Sequence, residues 1–446
     1  MRTTEALIGF FSLVLLAAPI GAPATLAASQ AAAPSSSALS LNHTPDTIPV
    51  GTVITMQNWQ RYKRFMPDGM VALFEGKYFW KMPPDVEIKV GPTIIHPLPN
   101  GYRSATERYS SQVRLVHQRG GEADLVGYHG GQPFPNPSGD DKGWEILANL
   151  WFRYMPHLSV NTYGAICLQN QYENISCSDV QIVSRQLSYN TDPGIPADAP
   201  GTNGEYLTEW VMTVAPENLK YTASLSIAYN DVTKDQDNYV FLPALRRYQP
   251  VSAEARCSPS GGSDVTYDDY RFGFNGVIGQ FQAAFLGERK ILALTGYEMP
   301  KTEFPDGFDM PLGWPKPSWG KWQLRDVDVI DVRKIPSMAA GYCYGKRIMY
   351  IDKQFNAALW EELYDSKMRL WKITAIFPHT LDAPQIGPVD SNYSQFEAVW
   401  NVRDKHATYF IDPADGRAFY LNQQAPKQFN DIAKYSTPSG LNEIMR

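Results

Sequence analysis

The sequence predicts an α+β protein of mainly antiparallel β structure, in which a helix-containing N-terminal part is followed by one large, strongly curved sheet. Three observations carry this expectation. From Glu205 onward apolar and polar residues alternate with period two, the candidate strands follow one another across short turns, and the segments with helical spacing all lie before residue 205. Strands joined by short turns exclude a doubly wound parallel sheet, which needs a helix in each crossover.

Taken in order, the chain opens with the pattern of an export signal. Arg2 precedes an apolar run from Leu7 to Ala18 interrupted only by Gly9 and Ser12. That run is shorter than the roughly 20 residues a membrane span requires but suits the apolar region of a signal peptide. Small residues from Ala24 to Ala33 offer cleavage points, and the cut is placed near Ala28, so that residues 1–28 are removed. No cysteine follows the run, so the residue a lipoprotein precursor acylates is missing. Residues 29–47, rich in Ala, Ser and Pro, read as a flexible leader. Residues 48–446 read as a single domain, with 48–204 its helix-containing part and 205–446 its meander.

Within that domain, Thr55 caps an expected helix through Met66, with Trp59, Tyr62, Phe65 and Met66 at helical spacing. Pro67 opens a second around Met70 to Phe74, and a third fits Trp144 to Tyr154, where Trp144, Leu147, Ala148 and Trp151 share a face. Further on, Tyr221, Ala223, Leu225, Ile227 and Tyr229 alternate with Thr222, Ser224, Ser226 and Ala228, a strand with one buried face. Asp231 to Asp237 turns the chain and Asn238 to Tyr248 returns as its partner. Later strands fit Arg271 to Phe285, Arg289 to Glu298, Trp322 to Val332, Arg347 to Asp352, Ala357 to Tyr364, Arg369 to Phe377 and Phe396 to Ile411. Two stretches rich in Pro and Gly, Thr191 to Gly204 and Pro305 to Gly320, read as long loops. The second brings Phe304, Phe308, Met310, Leu312, Trp314 and Trp319, which either fold back over the core or are offered to a partner.

Composition narrows the function. The chain has 446 residues, 43% of them hydrophobic and 19% charged, with a formal net charge of -6. An acidic balance excludes phosphate-neutralising contact with nucleic acid. No second apolar stretch reaches a spanning length, so no transmembrane segment is expected in the mature chain. The four cysteines of an exported protein are expected to pair. Cys167 with Cys177 is favoured by their closeness across a turn-like segment, which leaves Cys257 with Cys343.

Signatures of chemistry are absent. There is no Gly-x-Ser-x-Gly, His-Glu-x-x-His, phosphate loop, Gly-x-Gly-x-x-Gly or Cys-x-x-Cys. Gly273, Gly276 and Gly279 read as glycines that let a strand bend. His43, His96, His117, His129, His157, His379 and His406 show no ligand spacing, and no metal or cofactor is expected. Asp231, Asp235 and Asp237 lack the spacing and glycine of a calcium loop. Asp268 and Asp269, adjacent in a strand, would face opposite sides and could not form a glycosidase pair. One of them is expected to meet Arg246 or Arg247 as a structural ion pair.

These residues carry a resemblance. The run from Tyr239 to Arg247 (Tyr-Val-Phe-Leu-Pro-Ala-Leu-Arg-Arg), followed by Gly262 to Asp269 (Gly-Ser-Asp-Val-Thr-Tyr-Asp-Asp), resembles a block in proteins similar to the LolA and LolB carriers of outer-membrane lipoprotein sorting. More closely, the whole mature chain resembles the bacterial family catalogued as domain of unknown function 1329. Its other marks are Gly51-Thr52-Val53-Ile54 with Asn58, Gly130 and Gln132-Pro133-Phe134-Pro135 before Gly143-Trp144, and Tyr364-Asp365 before Leu370-Trp371-Lys372. Ala244 and Met368 depart from the pattern where glycine is usual. The resemblance implies an incomplete antiparallel barrel of LolA/LolB type, with helices covering or plugging its apolar hollow.

The expected function is therefore a soluble periplasmic carrier or binding protein, not an enzyme, for a lipid-like hydrophobic molecule, in service of outer-membrane transport. Leu225, Ile227, Phe241, Phe274, Phe281, Phe285 and Trp371 are its candidate cavity lining, with Tyr239, Arg246, Arg247, Asp268 and Asp269 a structural motif. The alternative is an accessory subunit that docks through residues 305–320 on an outer-membrane barrel or efflux-type transporter. A hydrolase assembled from distant residues is a lesser alternative.

Overall fold

Fourteen strands form one open antiparallel sheet that does not close into a barrel. The computed structural model describes residues 47–271, 273–297, 304–383, 386–411 and 419–445. The expected signal peptide and almost all of the leader lie outside the described residues.

The strands are β1 (Leu158–Gln169), β2 (Ile175–Gln186), β3 (Glu205–Ala215), β4 (Ala223–Tyr229), β5 (Asp237–Leu242), β6 (Arg247–Val251), β7 (Phe281–Ala293), β8 (Gln323–Lys334), β9 (Lys346–Asp352), β10 (Ala358–Tyr364), β11 (Leu370–Ala383), β12 (Gly387–Asn401), β13 (His406–Ile411) and β14 (Phe419–Leu421). Their spatial order is β6-β5-β4-β3-β2-β1-β13-β12-β11-β10-β9-β8-β7, with β14 pairing the start of β1. A first meander thus runs outward from β1 to the edge at β6. A second starts at the opposite edge, β7, and returns until β13 pairs with β1. Residues 252–280, here termed the strap, link the two edges. The edge β6 carries Pro250, and β7 carries a bulge between Phe285 and Gly287.

The register divides every strand between two faces. On the outer face of the second meander, Val327, Trp360, Ile373, Phe377, Phe396 and Trp400 are buried together with Met66, Met70, Leu73 and Trp80 of the N-terminal segment. The Pro/Gly-rich loop closes the same core. Trp314 stacks on Trp322 at 5.1 Å, Phe308 meets Phe396 at 4.7 Å, and the Trp319 indole donates to the Gly307 carbonyl at 2.8 Å. Each such ring removes about 200 Å² from water, worth on the order of 5 kcal/mol at most. The apolar side chains at 308, 312, 314 and 319 have therefore folded back over the sheet. On the outer face of the first meander, Val183, Trp210, Leu225, Ile227 and Phe241 pack under Phe429, Tyr435 and Leu441 of the C-terminal segment.

The inner face is covered by helix Lys142–Trp151 and by the strap. Buried Trp144 of the helix donates to the Ile278 carbonyl at 3.2 Å. A disulfide joins register partners Cys167 and Cys177 of β1 and β2, and a second, Cys257–Cys343, ties the strap to the loop before β9. Closing that second loop, 86 residues apart in sequence, contributes about 4.6 kcal/mol in the chain-entropy account.

Several sequence expectations are revised. The sheet begins at Leu158 rather than Glu205, because a bulge between Asn161 and Gly164 breaks the period-two alternation of β1. Residues 55–66 form a short 3-10 helix, Trp59–Phe65, instead of an α-helix from Thr55. Residues 271–280 belong to the strap, and the strand runs unbroken from Phe281 to Ala293 across the expected break. The stretch from Phe396 to Ile411 divides into β12 and β13 around a turn. Gly273 does not bend a strand: at φ 92°, any Cβ there would collide with the Glu361 carboxyl.

Candidate ligand cavity

Between the strap and the inner face of the first meander lies a cavity of about 130 Å³. Its floor follows from strand register. One row runs Asn161, Ile182, Val211, Ser224 across β1 to β4, and a second runs Ser159, Ser184, Glu209, Ser226. From the other meander, Glu397 of β12 pairs with Phe410 of β13, and Phe410 with Ile166 of β1. Phe419 of β14 completes the floor, while Ser260, Tyr267, Asp269, Tyr270 and Arg271 of the strap form the roof. Ile166, Ile182, Val211 and Phe410 are only partly buried, so a patch of apolar surface on the sheet remains unfilled.

The roof is held by buried charge. The Arg347 guanidinium of β9 donates to Asp269 at 2.6 Å and to the Gly273 carbonyl at 2.9 Å, and it lies 3.6 Å from Glu361. Tyr344 also donates to Asp269 at 2.6 Å, and Lys372 stands 3.7 Å from it. Farther along the strap, the Asp264 backbone amide donates to Thr408 at 2.8 Å and Asn401 donates to the Asp264 carboxylate at 2.9 Å. Arg256 donates to Asp268 at 2.5 Å and to the Asn275 carbonyl at 2.7 Å, folding the strap on itself. Ions this deeply buried depend on one another, because loss of one partner leaves an uncompensated charge.

Burial sets the protonation of the cavity acids. Desolvation, with a smaller contribution from Asp269, pushes Glu397 up to about 8. Desolvation likewise raises Glu209, against the pull of Arg271. Asp269 behaves oppositely. Burial alone would raise it, but Arg347, Lys372, the Tyr344 hydroxyl and the Thr266 amide together hold it below the usual carboxylate value. Arg271, at φ 55°, places its guanidinium 4.3 Å from the centre of the Trp151 ring, and its Nη2 donates to the Trp151 carbonyl at 3.3 Å.

None of the seven residues expected to line a cavity lines this one. Leu225, Ile227 and Phe241 point to the outer face, one register step from Ser224 and Ser226. Phe274 and Phe281 meet edge to face at 5.2 Å in the inner core, and Phe285 lies under the Lys142 ammonium at 3.7 Å. Trp371 stacks with Arg403 at 3.9 Å and donates to Asp404.

The expected ion pair is corrected as well. Arg246 and Arg247 are exposed at the β5–β6 turn, where Arg246 has φ 51°, whereas Asp268 and Asp269 sit in a 3-10 turn and pair with Arg256 and Arg347. Tyr239 packs against Tyr248 at 5.5 Å. Asp231 accepts from the Thr233 amide at 2.9 Å, an Asx turn between β4 and β5. Among the described residues no group of acids, histidines or cysteines is placed to hold a metal ion, and no helix is long and apolar enough to cross a membrane.

Sequence reasoning missed Glu209, Arg271 and Glu397. A signal existed in Phe396-Glu397-Ala398-Val399-Trp400 and in Leu359-Trp360-Glu361-Glu362-Leu363, where acids interrupt strands whose other positions are apolar. Such acids mark strands covered on both faces.

The family model described as "Protein of unknown function (DUF1329)" matches residues 53–441. Among solved structures, the chain is similar to a DUF1329 family protein from Desulfovibrio piger, with 12% identity over 67% of this chain and 100% of that one, at a TM-score of 0.45. It is also similar to a domain assigned to outer membrane lipoprotein sorting from Vibrio parahaemolyticus (17% identity, 66% and 97% covered, TM-score 0.44). A LolA superfamily protein from Nitrosomonas europaea gives 13% identity, 68% and 100% coverage and a TM-score of 0.38. No curated protein matches the sequence.

Proposed function

Starting from the DUF1329 family, to which this chain belongs, we propose that it is a periplasmic binding and carrier protein for a lipid-like hydrophobic molecule, held between the inner sheet face and the strap. The observation that carries the reading is the unfilled apolar patch of Ile166, Ile182, Val211, Phe410 and Phe419 between the inner sheet face and the strap. Its role is to hold a ligand, not to transform one. At about 130 Å³ the cavity is close to the roughly 150 Å³ that receives a benzene-sized molecule, so it takes a ring or a short run of methylenes. Each methylene buried contributes about 0.8 kcal/mol. A longer chain would extend past the strap. Export through residues 1–28 and the two disulfides support a location outside the cytoplasm.

The docking alternative has less support, because Phe308, Leu312, Trp314 and Trp319 of residues 305–320 are buried in the core instead of facing outward. Native mass spectrometry of protein purified from its own periplasm tests the carrier reading. A co-purifying hydrophobic molecule, lost when Val211 is replaced by Trp, is the expected result. A protein that carries none, and binds no amphiphile when offered one, would sink the reading.

A further inference from the structure

One acid of the cavity stands without a hydrogen-bond partner among the described residues. Glu397 is 5% exposed and lines the cavity, yet among the described residues its carboxyl makes no hydrogen bond or ion pair. Its strand neighbours on either side are Ile376 and Phe410, which offer no polar atom from their side chains. From the strap it shares the cavity with Tyr267, Asp269, Tyr270 and Arg271, and from β3 with Glu209. Behind it on the same face stand Glu361, Arg347 and Lys372.

The charges around it are already committed. Asp269 is occupied by Arg347 and Tyr344. Arg271 is the one cation among the lining residues, but its guanidinium lies against Trp151, and its Nε and Nη1 are sealed from solvent without a partner. It therefore offers no accessible fork to an anionic ligand. Glu209 receives only a long contact of 3.4 Å from Ser184. The rest of the polar lining is the carboxyls of Glu397 and Glu209, the Asn161 side chain and the hydroxyls of Ser159, Ser224, Ser260, Tyr267 and Tyr270, with the Ser226 hydroxyl donating to Asn238 at 2.6 Å. A buried carboxyl left unpaired is costly, and a ligand that supplies the missing charge or donor recovers that cost on binding.

We infer that the cavity takes an apolar molecule whose polar end is a cationic amine, seated on Glu397 with Glu209 beside it, and not an anionic phosphate or carboxylate. This rests on the carrier reading. It also fixes a pH dependence. Burial pushes Glu397 up to about 8, whereas an alkylamine stays charged to above 10. Binding an ammonium at pH 7 must release the Glu397 proton, so affinity rises about fivefold from pH 7 to pH 8 as the ionised fraction grows.

The test is calorimetric titration of the full mature protein with decylamine, decanol and decanoate between pH 6.5 and 8.5. Decylamine should bind at least tenfold more tightly than decanol, with decanoate weakest, and its affinity should climb with pH as stated. Glu397→Gln should bring decylamine down to the level of decanol and flatten its pH profile. Decanoate equal to or tighter than decylamine, or an amine affinity independent of pH in the unmodified protein, overturns the inference. Those two measurements decide it even if the variant fails to fold. Should none of the three probes bind, the carrier reading falls too; should all three bind alike, the carrier reading stands and the amine inference alone is lost.

Discussion

Alternate residues of β4 lie in two different environments. Leu225 and Ile227 are packed under the C-terminal segment with Val183, Trp210 and Phe241, while Ser224 and Ser226 face the cavity beside Val211 and Glu209. Both sets belong to one strand and differ by a single register step. Apolar alternation therefore marks the side that is permanently filled, and the side left open for a ligand is the more polar one. The same division holds along the inner face itself. Beneath the second meander that face is occupied by Arg347, Asp269, Lys372 and Glu361, whereas beneath the first it is roofed but not filled.

The largest effect is expected where the inner face is so occupied. Arg347→Met removes the cation shared by Asp269 and Glu361, and should destabilise the protein by about 3–5 kcal/mol in a urea titration. If the loss is below 1 kcal/mol, the ion cluster does not hold the strap. Next comes the filled side of β4, where Leu225→Ala should cost about 2–5 kcal/mol and Leu225→Trp about 1–3 kcal/mol by overpacking. Neither change should be confined to ligand binding.

The buried acids add a pH dependence to the same comparison. Glu397 and Glu362 are both raised to about 8, chiefly by desolvation. Folded protein keeps those two protons above the ordinary carboxyl value, where the unfolded chain has lost them, so their contribution is complete below about pH 4.5 and fades as pH rises toward 8. Stability therefore falls as pH rises across that window. Asp269 and Asp192 are lowered and act the other way, their contribution vanishing on acidification below about pH 4. Melting temperature should thus peak near pH 5 and fall toward pH 8; a flat profile would mean that these acids ionise freely in the fold.

The smallest effect on stability belongs to the open side of β4. Ser224→Leu should change stability by under about 0.5 kcal/mol while abolishing retention of the bound molecule, which separates the two faces within one strand. A loss comparable to that of Leu225→Ala would show that the cavity is ordinary core.

Much of the fold was legible because its signals are local. Short turns without helices announced the antiparallel meander, and the closeness of Cys167 and Cys177 anticipated the disulfide across β1 and β2. The start of the sheet was not, since the bulge after Asn161 hides the alternation of β1. The cavity was less legible still. Which face of β4 meets the strap depends on contacts between residues far apart in the chain, such as Asp269 with Arg347 and Asp264 with Thr408. The adjacent aspartates invited pairing with the nearest double arginine, but the chain reverses at β6 and carries Arg246 and Arg247 to the outside.

The two ends of the open sheet bear on how the molecule behaves in a crowd. An unclosed sheet presents two backbones that another copy could extend into a fibre. On β6, Pro250 has no N–H to offer such a copy, and on β7 the bulge at Gly287 throws an approaching ladder out of step before Glu288, Arg289 and Lys290. Crowding should therefore not drive the protein to polymerise through its own edges.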